Sequence, residues 1–228
     1  MPDGRASRLD VALKLIQRAR SRGLGELVEL FGIRIREAIA SADRLRFFHR
    51  DLTQEAVMPV REDLRFVEAT AFDGDRYARD IGTDSLGTFR RRLTSGTRCF
   101  LVVSDDVLVH ATWLTTTAAW TREIRRYLRP PASNAYVFES FTRSDARGRG
   151  TYPFALKCIV ATLSGSEIDR VWVAVEGHNE ASLRAVTKAG FVESFEVGYR
   201  RRWGRLVLTA PDAPAEWLLT PTQFRQLG

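Results

Sequence analysis

The chain has 228 residues, 44% of them hydrophobic and 28% charged. That is enough for one large domain, or a domain with an appendage, and it excludes a disordered, collagenous or low-complexity chain. Thirty-five Lys and Arg against 28 Asp and Glu leave +7, concentrated in residues 1–50 (eleven basic, six acidic) and 121–150 (seven Arg, three acidic). The first concentration suits an anionic membrane surface, a nucleic-acid backbone or an ordinary solvated face; the second, arginine-rich beside a glycine loop, suits a bound phosphate. No run approaches 18 uninterrupted apolar residues, and MPDGRASRLD lacks the apolar core of a signal peptide. Cys99 and Cys158 sit in apolar runs (RCFLVV, LKCIVATL), as buried reduced thiols do in a cytoplasmic protein. The expectation is a soluble intracellular chain.

Along the chain, Leu9, Ala12, Leu13 and Ile16 share one helical face; Gly23 and Gly25 interrupt, and Leu24, Leu27, Val28, Phe31, Ile35 and Ile39 form a second. This basic, amphipathic pair would pack on its own domain, on a second subunit or on a membrane. Arg44–His49 alternates partly and reads as an edge strand. Leu64–Ala69 reads as a strand, and Phe72–Leu93 as one or two helices broken near Gly82. Arg98–Val103 and Val107–Thr115 flank the polar turn Ser104-Asp105-Asp106 and predict a hairpin. After Pro130 and Pro131 come a strand over Ala135–Arg143, a glycine-rich loop, a helix over Thr151–Leu163 and a strand over Arg170–Glu176. A helix over Glu180–Ala189 follows, then strands over Phe191–Tyr199 and Arg201–Leu208, and an exit containing Pro211 and Pro214. Hairpin and crossover connections together predict a mixed α/β sheet with helices on both faces. The domain boundaries fall at 1–60 (helical extension with an edge strand), 61–210 (sheet domain) and 211–228 (tail).

The most informative segment runs from Phe141 to Tyr152. A strand ends, a loop carries Arg143, Arg147, Gly148, Arg149 and Gly150, and a helix opens at Thr151 with Pro153 in its first turn. First-turn N–H groups lack intrahelical partners and carry partial positive charge, and glycines let an anion approach the backbone. The loop therefore predicts a phosphate cradle, with a plain strand-to-helix turn as the alternative. Neither a nucleotide P-loop nor G-x-G-x-x-G is present. Further on, Asn179 is placed to cap a helix at Ser182, Glu180 complements its dipole, Lys188 lies in its last turn, and Gly190 supplies a left-handed terminus.

Together, Arg147-Gly148-Arg149-Gly150-Thr151-Tyr152 and the block from Asn179 and Ser182 to Lys188, Gly190 and Phe191 resemble the GNAT superfamily of CoA-dependent N-acyltransferases. The resemblance covers roughly residues 62–210. It implies a central, mostly antiparallel sheet flanked by helices, and acetyl-CoA or another acyl-CoA as co-substrate without a metal. It also implies a pyrophosphate held at Arg147, Gly148, Arg149, Gly150, Thr151 and Tyr152, and a pantetheine arm along Ser140, Phe141 and Thr142. Asn179 and Ser182 would contact the arm or order the next helix. Two positions depart from the pattern: Tyr152 replaces a Gly or Ala, and Val186 stands where many members carry the tyrosine that protonates the leaving thiolate.

Tyr199 is a substitute acid, or a tyrosine packed on the sheet. Glu139, inside the strand Tyr136–Phe141, is the first candidate base, or else the partner of an arginine such as Arg143. His110 is the second, or else a satisfied sheet histidine. His178 borders the site. The implied reaction is N-acyl transfer from acyl-CoA to a primary amine, most simply of a small molecule such as an amino sugar or amino acid, by direct attack in a ternary complex. The net positive charge favours an anionic acceptor. Alternatives are a long-chain transferase served by an acidic acyl carrier protein or a membrane surface docking on residues 1–42, and a silent CoA- or partner-binding module. A homodimer is open. Nucleic acid is not expected, since the basic residues show neither aromatic interleaving nor a finger motif.

Overall fold

A computed structural model describes residues 40–52, 56–202, 205–209 and 217–226. The two amphipathic helices expected before residue 40, with any docking surface on them, and the exit containing Pro211 and Pro214 lie outside these residues.

Eight strands form one sheet: β1 (Ala40–Asp51), β2 (Arg65–Glu68), β3 (Thr97–Ser104), β4 (Val107–Thr115), β7 (Asn134–Thr142), β8 (Arg170–Glu176), β9 (Val192–Arg202) and β10 (Arg205–Thr209), in the order β10-β9-β1-β8-β7-β4-β3-β2. Every neighbouring pair is antiparallel except β7 and β8. Helices α3 (Thr151–Leu163) and α4 (Glu180–Lys188) cover one face; α1 (Gly74–Asp80) and α2 (Leu86–Arg92) pack on the other. Beside α1 and α2 lies a small sheet of β5 (Ala119–Thr121), β6 (Arg126–Leu128) and β11 (Leu218–Leu219), followed by α5 (Pro221–Gln226). The expected mixed sheet with helices on both faces is therefore present.

Several elements form where local pattern places them. The β3–β4 hairpin turns on Asp105 and Asp106, both at positive φ, the geometry of a two-residue turn matched to strand twist. Gly82, at φ +67, ends the first helical segment. Cys99 and Cys158 are buried free thiols.

Three expectations need correction. The segment read as an edge strand is the interior strand β1, paired with β8 on one side and β9 on the other. Its charged side chains find partners on β9 and at the end of α4. Arg46 bonds Glu193 through two nitrogens, Arg50 donates to the Ala189 carbonyl, and Arg44 lies 3.3 Å from Glu196. Leu45 and Phe47 meanwhile fill one face and Phe48 the other. The sheet domain thus takes in residues 40–51, which the boundary at residue 61 left out. The segment read as a tail is also part of the fold. Trp217 is buried edge-on against Trp172 at 4.6 Å between ring centroids and against Phe195 at 5.6 Å. Finally, β9 runs through Arg202 and β10 begins at Arg205, where the sequence suggested one strand ending at Tyr199 and the next starting at Arg201.

Topology opens the sheet at one place. The parallel pair β7–β8 matches only four residues, Asn134–Val137 against Arg170–Val173. Beyond Val137, β7 follows β4 and β8 follows β1. A bulge drives the split: Trp113 opposes Phe138 and Ala111 opposes Phe141, so Thr112 faces two residues, Glu139 and Ser140. Glu139 takes φ +47, a conformation that non-glycine residues seldom adopt.

Candidate active site

The splay leaves a cleft of about 1080 Å³ at the carboxyl ends of β7 and β8, where ligands bind in sheets whose strand order switches direction. Past Val137 the side of β7 that faces away from β4 has no β8 partner, so its outward N–H and C=O groups are available to an extended chain. Ser140, Phe141 and Thr142 line this wall; Asn179 and Ser182 on α4 line the opposite one.

The glycine loop forms the end of the cleft. Gly148 and Gly150 take φ +75 and +76, and Gly150 is the N-cap of the 13-residue α3. A side chain built on Gly148 would meet nothing within 4 Å, so its backbone is open to approach. Arg147, Gly148, Gly150, Thr151 and Tyr152 line the cleft. Arg149 does not line it; its carbonyl accepts a 2.8 Å bond from Arg61, which is itself paired with Asp63 and braces the loop from behind. Arg147 Nε donates to the Thr142 carbonyl at 3.1 Å, tying the loop to β7. Across the cleft Asn179 caps α4 as expected, accepting from Ser182 N–H at 3.1 Å, and Lys188 adds a cation. The Tyr152 ring turns onto His110 at 5.4 Å. Burial pushes its phenol up to about 12, against a hydrogen bond with Ser140. Val186 is buried in the core beneath α4.

The candidate proton-transfer residues part company. Glu139 lines the cleft, and its Oε2 lies 2.6 Å from Arg92, a guanidinium that also pairs with Asp84 and lies over the Trp113 ring. The partner is thus Arg92; Arg143 pairs instead with Asp145 at 2.7 Å. Burial opposes the Arg92 charge, but Glu139 and Asp84 outweigh it and hold its pKa above the ordinary value. His110 is fully buried outside the cleft lining. Its Nδ1 is 2.7 Å from Thr142 Oγ1, its Nε2 has no hydrogen-bond partner among the described residues, and burial lowers its pKa to about 3.

Tyr199 reaches a second, adjoining cavity of about 270 Å³, which shares Arg122, Glu123 and Glu176 with the cleft. Its O–H donates to Glu176 Oε1 at 2.9 Å. Burial raises the Tyr199 pKa, helped by the neighbouring Glu176 carboxylate, and keeps it a neutral donor.

Sequence reasoning missed Glu176. It is the last residue of β8, paired with Leu45 across β1, and so projects on the face opposite α3 and α4. Burial first, and then the nearby Glu123 charge, push its carboxyl above the usual range. The available signal was position: an acid closing the second strand of a parallel pair, opposite the glycine loop. Asp43, Glu176 and His178 bring donor atoms within 4.8 Å of one another, a set able to hold a cation. Here His178 Nδ1 bonds Asp43, and Arg122 and Arg201 line the same cavity.

Charge is divided along the cleft. Arg147, Arg184 and Lys188 lie at the loop and α4 end; Asp84, Glu123, Glu139 and Glu176, with Arg122 among them, lie at the other. Among the described residues, no helix is long and apolar enough to cross a membrane.

No family model and no curated protein matches the sequence. Solved structures do. A GCN5-related N-acetyltransferase from Sphaerobacter thermophilus aligns over 86% of this chain and 71% of its own, at 13% identity and a TM-score of 0.54. An acetyltransferase of the GNAT family from Novosphingobium aromaticivorans aligns at 18% identity and TM-score 0.47, over 69% of this chain and 63% of its own. A Drosophila protein aligns at 10% identity and TM-score 0.49, over 80% of this chain and 59% of its own. The chain thus spans about three fifths of the last two.

Proposed function

We propose that this chain, whose fold is that of the GCN5-related N-acetyltransferases, transfers an acetyl or other acyl group from acyl-CoA to a primary amine of a small molecule. The observation that carries the reading is the cleft between the splayed strands β7 and β8, closed at one end by two left-handed glycines at the N-terminus of α3. The residues present fit CoA. Gly148, Gly150, Thr151 and Tyr152 offer backbone N–H groups and a helix dipole to a pyrophosphate, Arg147 and Lys188 supply positive charge, and the free side of β7 offers hydrogen bonds to an extended arm. Bound acyl-CoA would supply the activated carbonyl as a thioester.

The chain's own groups then handle protons and position. The amine approaches from the face that Glu176 occupies, opposite α3 and α4, so donor and acceptor sit on two sides of one gap and need no covalent enzyme intermediate. Amines reach the site as ammonium ions, and Glu176 takes the proton. Its raised pKa makes it a stronger base than an ordinary carboxylate, and Tyr199 O–H holds it in place. Glu139, tied to Arg92, helps to draw the cation in. Val186 brings no acid to the departing thiolate. A thiol of pKa ~8.5 leaves as the anion without assistance, and water protonates it.

The test is calorimetric titration of acetyl-CoA into wild type and Arg147→Ala, followed by an amine screen that reads thiol release. Expected are saturable binding, weakened at least several-fold by the substitution, and turnover with at least one amine. Absence of acetyl-CoA binding to the wild type would overturn the reading, while binding without turnover of any amine would favour the silent module.

A further inference from the structure

Arg201 has an unmet need beside the proposed base. It lies on β9 two residues beyond Tyr199, on the same face of the sheet, and lines the smaller cavity together with Glu176. One terminal nitrogen donates to the Glu123 backbone carbonyl at 2.9 Å, which fixes the guanidinium plane. Its Nε is buried and has no hydrogen-bond partner among the described residues. The other charges of this cavity are answered locally: Glu123 lies 3.2 Å from Arg122, and His178 bonds Asp43. Glu176 and Arg201 line the same space, one a carboxylate held by a neutral phenol, the other a guanidinium with no carboxylate paired to it among the described residues.

A cation lining a cavity without a counter-charge favours an anion there, and a guanidinium is shaped to receive a carboxylate through two N–H groups. A cavity of about 270 Å³ falls below the ~300–1,000 Å³ of drug-sized pockets and suits a small molecule. Resting on the proposed acyl transfer, we propose that the acceptor is a small aminocarboxylate, such as a free amino acid, whose ammonium group faces Glu176 while its carboxylate is bound by Arg201. The Arg201 guanidinium then sets specificity by rejecting amines that lack the carboxylate. The carboxylate pairs with the guanidinium that lines the cavity, and the ammonium meets the acidic end of the cleft, so both charges of a zwitterion are matched.

The experiment compares amino acids with their decarboxylated partners, phenylalanine with phenethylamine and lysine with cadaverine among them, as acceptors for acetyl-CoA. At least one amino acid should exceed its amine in kcat/KM by about tenfold or more, as charged hydrogen bonds discriminate. Arg201→Gln should collapse that ratio toward one, chiefly through KM for the amino acid, and Arg201→Lys should restore part of it, since lysine keeps the charge but not the fork. Calorimetry with acetyl-CoA shows that each variant is folded. Thermal shift by the same amino acids in the presence of CoA gives a readout independent of turnover, and Arg201→Gln should abolish it. Amines used as well as their parent amino acids, or a ratio unmoved by Arg201→Gln, would overturn the inference, leaving Arg201 a structural arginine satisfied by water. If acetyl-CoA binds but no amino acid is acetylated or shifts melting, the carboxylate site falls and the cleft reading stands. If acetyl-CoA itself does not bind, the cleft reading falls first.

Discussion

Glu176 is where the proposed mechanism is most exposed to a single substitution. Burial and Glu123 favour its protonated form, and Tyr199 O–H only partly offsets them. A carboxyl raised in the folded state favours folding while it is protonated, and that contribution is lost as pH rises through the folded pKa. At neutral pH the charged Glu176 is therefore a cost to stability. Glu176→Gln should raise the melting temperature while lowering kcat by ~10²–10⁴-fold, the usual worth of a general base. It should also abolish the acid limb of the kcat/KM profile, which in the wild type falls as pH drops through the Glu176 pKa. A variant that keeps both the rate and the acid limb would move the base to Glu139, whose Oε2 bonds Arg92.

At the scale of the element, the glycine loop is the clearest case of backbone chemistry. Gly150 lies at φ +76 and caps α3, so Gly150→Ala imposes a left-handed alanine costing ~1–2 kcal/mol. The new Cβ would meet only Arg61 Nη1, at 3.6 Å, which limits the steric damage. Acetyl-CoA affinity should fall more than that cost alone predicts, because relaxing φ turns N–H groups away from the anion; equal affinity by calorimetry would demote the loop to a turn. This loop and the capped helix after Asn179 were legible in the sequence because their signals are local: glycines, an N-cap, a proline in the first turn. The same holds for the β3–β4 hairpin. The β7 bulge was not legible, since it is defined by two residues facing Thr112 on a strand some thirty positions earlier. Nor was the interior place of β1, whose arginines find Glu193 and Glu196 at separations of 147 and 152 residues. Glu139 was found because an acid in an apolar strand stands out. Glu176 escaped because an acid closing a strand looks ordinary until β7 is placed beside it.

For the whole molecule, closure of the face opposite α3 and α4 depends on Trp217, which seals Trp172 and Phe195 beneath the small sheet. Trp217→Ala should cost ~3–5 kcal/mol by urea denaturation, the range for emptying a large aromatic site. Stability should depend on pH mainly through His110. On β4 and buried against Tyr152, it is pushed down by burial to about 3 in the fold, against ~6.5 when unfolded. A lowered folded pKa gives stability that is fully present above the unfolded pKa and lost as pH falls: below pH ~6.5 the unfolded chain takes the proton and the folded one does not. The loss is about 1.4 kcal/mol per pH unit, or ~2 kcal/mol between pH 7 and 5. His49, also lowered by burial, adds to the slope, whereas Glu176 opposes it. Comparing wild type with His110→Phe at both pH values isolates the one residue. The variant gives up the bond to Thr142 and should be less stable at pH 7, yet it should lose ~2 kcal/mol less on going to pH 5. An equal loss in both proteins would mean that His110 is protonated inside the fold, with Nε2 finding an acceptor there.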